Sequence, residues 1–381
     1  MRTRTTKAEG GPGRSSRRFV IGGAKLVVLL LALVAAPVGG VQAFWGSGAD
    51  LPRSVGLPER GILQQDAAPG EICIRRGAPA MGTILQVNLC GKDRQRLGAA
   101  ADLALQRAAE LDAALTTFVE ASPLSKLNRA SGESDVALPD ATLEALRVST
   151  EMVRRTGGAF DPTVGALVRL WRDASVSGHW PKPHEIRAAR AAVGIEGLRL
   201  GTDRARLLRR GAAVDLGGIG KGFALDKIVK EMKNIDGVRG LLDFGGSSQH
   251  AIGAPPGEGS AALWRIALPG PDGREIGVVR LRDAALSVSA SRGQVWVIDG
   301  RRVGHIMDPR RGEPIDAVRV AVVAAPRGAL AEALSTALVV EGPGGLDALV
   351  AAEPGVAALV VEESGAITLR DELGVFELRE P

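Results

Sequence analysis

Two rhythms of apolar residues run along the chain. Alanines and leucines recur at helical spacing over residues 97–117 and again over 141–155, behind Pro139-Asp140, which predicts two helices packed on a sheet. The same period predicts helices over 223–232, 329–340 and 346–352. Short runs of aliphatic and β-branched residues predict strands over 240–244, 263–268, 276–281, 295–298, 303–307 and 318–324. Nearer the start, 72–74 and 84–89 read as the strands of a hairpin whose turn lies in 77–82. Residues 177–185 read as a loop, followed by a short helix and a polar strand pair around 198–214, and a short strand ends at Val214-Asp215. Strand groups alternate with helices and no internal repeat or low-complexity tract interrupts them, which makes an α+β (mixed α/β) domain.

Composition changes this picture mainly at the amino terminus. The chain has 381 residues, 45% of them hydrophobic, enough for a sizeable core. Its formal charge of +5 is local: residues 1–43 hold seven basic residues against Glu9 alone, a balance of +6, so the rest carries about −1. No global electrostatic case for nucleic acid remains. Arg17-Arg18-Phe19-Val20-Ile21 precedes the apolar run 26–38, the pattern of a twin-arginine export signal, and Val41-Gln42-Ala43 has the small residues a signal peptidase needs. Residues 1–43 therefore read as an export signal cleaved after Ala43, with an uncleaved anchor over 19–38 and hence membrane association as the alternative. Residues 44–70 read as a linker and 71–381 as the main folded module, placed in the periplasm or on the outer face of the cytoplasmic membrane. An antiparallel hairpin centred near Met81 sets Cys73 opposite Cys90, which leaves a disulfide and two free thiols both open.

Four segments carry candidate chemistry. The block from Val214 to Asp226 clusters Gly217, Gly218, Gly220 and Gly222 around Lys221 ahead of a helix, which suits an anion such as a diphosphate. It matches neither GxxxxGK[ST] nor GxGxxG, and a tight glycine turn without a ligand is the competing reading. Asp161 before Pro162 serves either a site or an Asx turn. His305, in Gly304-His305-Ile306-Met307-Asp308-Pro309-Arg310-Arg311, stands where a strand ends in a charged turn. Glu332 and Thr336, four apart on one helix, put a carboxylate and a hydroxyl on one face, as an oxygen-liganded cation requires; a surface Glu and a back-bonded Thr is the other reading. Neither HExxH nor a Cys/His group at ligand spacing is present, which argues against zinc.

Taken in order, these segments resemble the ApbE family of FAD:protein FMN transferases. The resemblance runs through Met81-Gly82-Thr83, Leu124-Ser125-Lys126-Leu127-Asn128, Phe160-Asp161-Pro162-Thr163-Val164-Gly165, the 215–226 block and Asp243-Phe244-Gly245-Gly246-Ser247-Ser248. It continues through Ser289-Ala290-Ser291, the His305 segment and Ala331-Glu332-Ala333-Leu334-Ser335-Thr336-Ala337-Leu338, so it covers 71–381.

The resemblance implies a fold of mixed sheets flanked by helices and a Mg²⁺-dependent transfer of FMN from FAD, the substrate, to a threonine of an acceptor protein, with release of AMP. It implies Mg²⁺ held by the Gly220 carbonyl, Glu332 and Thr336, and FAD contacts at Met81, Phe118, Asp161, Val164, Gly217, Gly218, Lys221, Asp226, His305 and Ile306. Lys221, His305 and Asp308 are the implied catalytic groups, and flavin-carrying subunits of exported redox complexes are the implied acceptors. Glu332 replaces the family's Asp, and its extra methylene displaces the carboxylate by about 1.5 Å. Gly220 replaces Ala, Phe118 replaces an aromatic that is often Tyr, and Arg311 replaces Thr. A non-catalytic flavin-binding protein and an FAD pyrophosphatase are the alternative functions.

Overall fold

The computed structural model describes residues 69–257, 261–351 and 353–379, all within the unit Ser54–Pro381. The expected export signal and nearly all of the expected linker lie outside these residues. Among the described residues, no helix is long and apolar enough to cross a membrane.

Eight strands form the central sheet and lie side by side in chain order: β1 (Ile72–Ala80), β2 (Thr83–Gly91), β3 (Arg239–Phe244), β4 (Ser248–Ile252), β5 (Ala285–Ala290), β6 (Arg319–Ala325), β7 (Ala357–Glu362) and β8 (Ile367–Arg370). Every neighbouring pair is antiparallel. The α+β class is as expected, while the parallel pairings that mixed sheets imply are absent among the described strands. The reason is topological: each excursion between neighbours re-enters the sheet at the end it left, so no crossover is needed.

Five helices build and flank the site: α1 (Arg94–Leu115), α2 (Asp140–Arg155), α3 (Gly165–Ser177), α4 (Gly220–Met232) and α5 (Gly328–Glu341). Strand periodicity sorts the core into two sides. On β6, Ala321, Val323 and Ala325 join the helix-side core with residues of α1, α4 and α5. The alternate residues Val320, Val322 and Ala324 join a second core with Trp264, Ile266 and Val279 of a small three-stranded sheet. That sheet comprises Trp264–Pro269, Glu275–Leu281 and Phe376–Leu378. A strand buried on both faces reads as a continuous apolar run, which is why β6 is legible in the sequence. A third cluster joins Leu167 and Trp171 of α3 to Ile298, Val303 and Met307.

Differences from the expected elements have local causes. Cys73 and Cys90 are cross-strand partners and form a disulfide. Their hairpin turns later than expected, because β1 runs on to Ala80 and only Met81 and Gly82, both at positive φ, reverse the chain. Helix α3 extends to Ser177, the start of the expected loop. The expected polar strands are Leu198–Leu200 and Arg204–Leu207 and stop there. No strand ends at Val214-Asp215. Asn128 Oδ1 instead accepts from Val214 N at 2.7 Å, its Nδ2 donates to Val214 O at 2.9 Å, and Asp215 N donates to Pro162 O at 2.7 Å. A side chain thus does the pairing that a ladder would. The run 303–307 splits into Arg301–Gly304 and Met307–Asp308; a Cβ on Gly304 would lie 2.1 Å from Ser291 O, so the chain bends through a gap only glycine fits.

Candidate functional site

The glycine block stands at the start of α4, and α5 lies against it. Their crossing is close because both carry glycine there: a Cβ on Gly222 would lie 2.2 Å from Gly328 O. Asp226 closes the crossing from the other side by accepting from Gly328 N at 2.6 Å and Ala329 N at 3.0 Å, which caps the amino end of α5. Burial raises its pKa, against the lowering effect of those two amides.

This crossing places Glu332 over the amino end of α4. Glu332 is 3% exposed, so the surface reading of this carboxylate is overturned: α5 is buried over almost its whole circumference. One oxygen, Oε1, accepts from Lys221 Nζ at 2.6 Å, and Oε2 accepts from Gly222 N at 2.6 Å. Ser248 Oγ of β4 lies 3.4 Å from Oε1. A buried carboxylate is thereby paired with an ammonium and with a helix amino end, the two partners that offset its desolvation. One turn further along α5, Thr336 faces Gly218, where an added Cβ would lie 3.2 Å from Thr336 Oγ1 and 3.3 Å from the Phe160 ring. The missing side chain of Gly218 therefore keeps a space open between Thr336, Phe160 and the turn.

The cradle is narrower than six consecutive glycine-block amides would make it. Gly217 N donates to Asp215 Oδ1, Ile219 N and Gly220 N donate to Leu216 O, and Gly222 N is held by Glu332. The amides of Gly218 and Lys221 remain without a partner among the described residues. Gly220 opens α4, so helix geometry aims its carbonyl along the axis and leaves it one further lone pair.

The other expected residues fall into two groups. Asp161 and Val164 flank the turn: Val164 bridges Ala213, and Phe160 packs on Gly218. Asp161 accepts from Thr163 N at 2.8 Å and Thr163 Oγ1 at 2.6 Å, and its pKa is raised by burial. His305 is half-buried with Nδ1 3.2 Å from Gln294 O, and its pKa is lowered by burial, with the nearby Lys221 ammonium adding to the effect. Ile306 beside it is buried. Asp308 Oδ1 accepts from Arg310 N at 2.9 Å and Arg310 Nε at 3.2 Å, so that one oxygen is engaged within its own turn. Met81 sits at the β1–β2 turn with φ 52°, strained for a non-glycine residue. Phe118 is exposed, with the Arg172 guanidinium 6.0 Å from its ring centroid.

Among the described residues, no group of three or more His, Cys, Asp or Glu side chains converges as a metal site. The donors around the turn are one carboxylate, one hydroxyl and carbonyls, an all-oxygen set that fits a hard cation sharing its shell with a phosphate ligand. Sequence reasoning gives no role to Asn128, which pins Val214, or to Ser248. It also misses Ser335, whose hydroxyl meets Ser287 Oγ at 2.9 Å and Ser289 Oγ at 2.7 Å and docks α5 on β5. The only signal for these is their place in the ordered motifs.

A sequence model of the ApbE family matches residues 81–360. The chain is 31% identical over 303 residues to an FAD:protein FMN transferase of Salmonella typhimurium, an alignment covering 75% of this chain and 83% of that one. It is 30% identical over 312 residues to an FAD:protein FMN transferase of Klebsiella pneumoniae, covering 78% and 87%. Among solved structures it is similar to the ApbE protein of Thermotoga maritima, with a TM-score of 0.71 at 27% identity, covering 81% of this chain and 100% of that one. The apo form of the flavinyl transferase ApbE of Pseudomonas stutzeri gives a TM-score of 0.66 at 25% identity, covering 79% and 94%.

Proposed function

The chain belongs to the ApbE family, and we infer that it is a transferase that moves FMN from FAD onto an acceptor protein. One observation of the fold carries the finer reading: Lys221, the free amides of Gly218 and Lys221, Glu332 and Thr336 converge on one turn, although Lys221 and Glu332 are far apart in sequence. Two amides and an ammonium suit the diphosphate of FAD.

The acceptor is a threonine whose hydroxyl oxygen attacks the phosphorus of the FMN half. The phosphoanhydride bond breaks, and AMP leaves with the bridging oxygen and its electron pair. Lys221 neutralises charge that builds on the departing phosphate. His305 is held neutral at neutral pH by its lowered pKa, which leaves it free to take the threonine proton. In the tautomer whose Nδ1–H donates to Gln294 O, Nε2 is the accepting atom. Asp308, already engaged by Arg310, orients the turn that carries His305. Glu332, Thr336 and the Gly220 carbonyl would hold Mg²⁺, which when bound supplies Lewis-acid stabilisation of phosphate oxygens. Export to the periplasm is supported by the Cys73–Cys90 disulfide, which suits an oxidising compartment. Flavin-carrying subunits of redox complexes there are the proposed acceptors.

The test is to incubate the purified protein with FAD, Mg²⁺ and an acceptor domain bearing the family's threonine motif. Covalent flavin fluorescence on the acceptor with equimolar AMP is expected. Free FMN and AMP without labelling would make the protein a pyrophosphatase, and bound but intact FAD would make it a flavin carrier; either result overturns the reading.

A further inference from the structure

One wall beside the site has a charge pattern that the reaction at the turn does not use. It consists of α3, the helix Pro183–Ala191 that packs on it, and the hairpin of Val295–Ile298 with Arg301–Gly304. Residues 165–190 and 292–302 contain eight arginines and lysines against the three acids Asp173, Glu185 and Asp299. Among the described residues none of these eight pairs with a carboxylate. Several arginines elsewhere are tied down by carboxylates: Arg107 bonds Glu231, Arg155 bonds Glu353 and Arg310 bonds Glu341. On this wall two of them lie over aromatic faces instead, Arg172 over Phe118 and Arg301 at 5.5 Å from the ring centroid of Trp180.

Apolar side chains stand among these charges. Val176 is 85% exposed and Val297 57%. The hairpin's pairing explains the second case. Trp296 and Val303 are cross-strand partners and face the third core, so the next pair, Val297 and Arg302, faces out. The hairpin is rigid at both ends. At its tip Asp299 and Gly300 turn at positive φ, and Asp299 N donates to Gly178 O at the end of α3. At its base His305 is held by Gln294. Four steps of about 3.3 Å lead from Arg301 to His305, so Arg301 lies within about 13 Å of the His305 backbone.

We propose that this wall is where the acceptor protein docks, and that the acceptor presents an acidic segment with apolar side chains beside the residue that receives the flavin. A single-sign field with exposed apolar side chains selects that chemistry, speeding encounter with an opposite charge and rejecting basic partners. The inference rests on the flavin-transfer reading, and its test separates the two.

The probe is an acceptor domain bearing the family's threonine motif, used at saturating FAD. Transfer is measured with wild type, Arg302→Glu, Val297→Asp and the distant control Arg274→Glu, whose side chain is 89% exposed. Because Val297 and Arg302 face away from the core, neither substitution disturbs the fold, which thermal melts verify. Each is expected to raise the acceptor KM roughly tenfold, with FAD affinity, kcat and the control unchanged. Wild-type KM should rise with salt more steeply than that of Arg302→Glu. Unchanged KM in both variants, or an equal rise in Arg274→Glu, would overturn docking on this wall while transfer stands. Wild type that binds FAD but labels no acceptor would overturn the transfer reading itself, and docking with it.

Discussion

Removing the Lys221 ammonium should destabilise the fold through a residue on another helix. The Glu332 side chain is 4% exposed and takes Lys221 Nζ at 2.6 Å. In Lys221→Met its carboxylate would keep only Gly222 N at 2.6 Å and Ser248 Oγ at 3.4 Å. Breaking one side of a buried ion pair costs about 3–5 kcal/mol. The Lys221 side chain is 20% exposed, so water enters the gap and the lower end, about 3 kcal/mol, is expected. At roughly 2 °C per kcal/mol for a domain of this size, the melting point falls by about 6 °C.

Glu332→Gln keeps an oxygen for Gly222 N and removes the charge, so Lys221→Met/Glu332→Gln should recover much of the loss, with a coupling energy of about 2 kcal/mol. Urea unfolding followed by tryptophan fluorescence measures the cycle. Mg²⁺ should restore part of the stability of the single variant and none of the double, since only the first retains an uncompensated carboxylate. A loss below about 1 kcal/mol in Lys221→Met, or additive single effects, would show that the pair is not a coupled unit.

Gly222→Ala drives a Cβ into Gly328 O at 2.2 Å, so α4 and α5 must part; a loss of about 3 kcal/mol in thermal melts is expected, with weaker FAD binding by flavin fluorescence. Burial pushes the His250 pKa down to about 4, with the Lys233 charge adding to the effect, so between the ordinary value of 6.5 and 4 the unfolded chain holds a proton that the folded one refuses. Stability therefore falls as pH falls through that window, by roughly 3 kcal/mol at pH 4. Urea midpoints of His250→Asn should be flatter there. The comparison with this variant cancels the opposite tilt from the raised carboxyls of Asp161, Asp226 and Asp243. Replacing Cys73 and Cys90 by alanine should cost up to about 3 kcal/mol, read as a lower urea midpoint that reducing agent no longer shifts. Thr336→Ala should cut metal-dependent turnover roughly tenfold or more without moving the melting point, and a wild-type rate would reject Thr336 as a ligand.

Legibility in the sequence depends on which elements bury apolar faces. Helices α1, α2, α4 and α5 and strand β6 are legible because their periods survive into the core. Strand β4 is not: Ser248, Gln249 and His250 are polar yet almost fully buried, and a run of that composition resembles a loop. It is a strand because Ser248 faces Glu332, the buried Asp243 stands opposite Gln249 in the ladder, and His250 bonds the Ala251 carbonyl. Strand β5 is hidden in the same way by Ser287 and Ser289, which meet Ser335.

Glu332 marks the boundary of what a sequence can carry. Residues 328–340 are apolar or small all round apart from Glu332, Ser335 and Thr336, and a helix apolar on every side is a buried one. A carboxylate in its middle must then have a cationic or amide partner, because an unpaired buried charge is too costly to keep. The requirement is therefore present in thirteen residues of sequence. Naming Lys221 as the partner needs the fold, since only the Gly222–Gly328 crossing brings the amino end of α4 to that face of α5. The length of Glu332 belongs to the same geometry: its side chain spans the gap to both Lys221 Nζ and Gly222 N, so shortening it to Asp would break contacts that hold the crossing as well as the site.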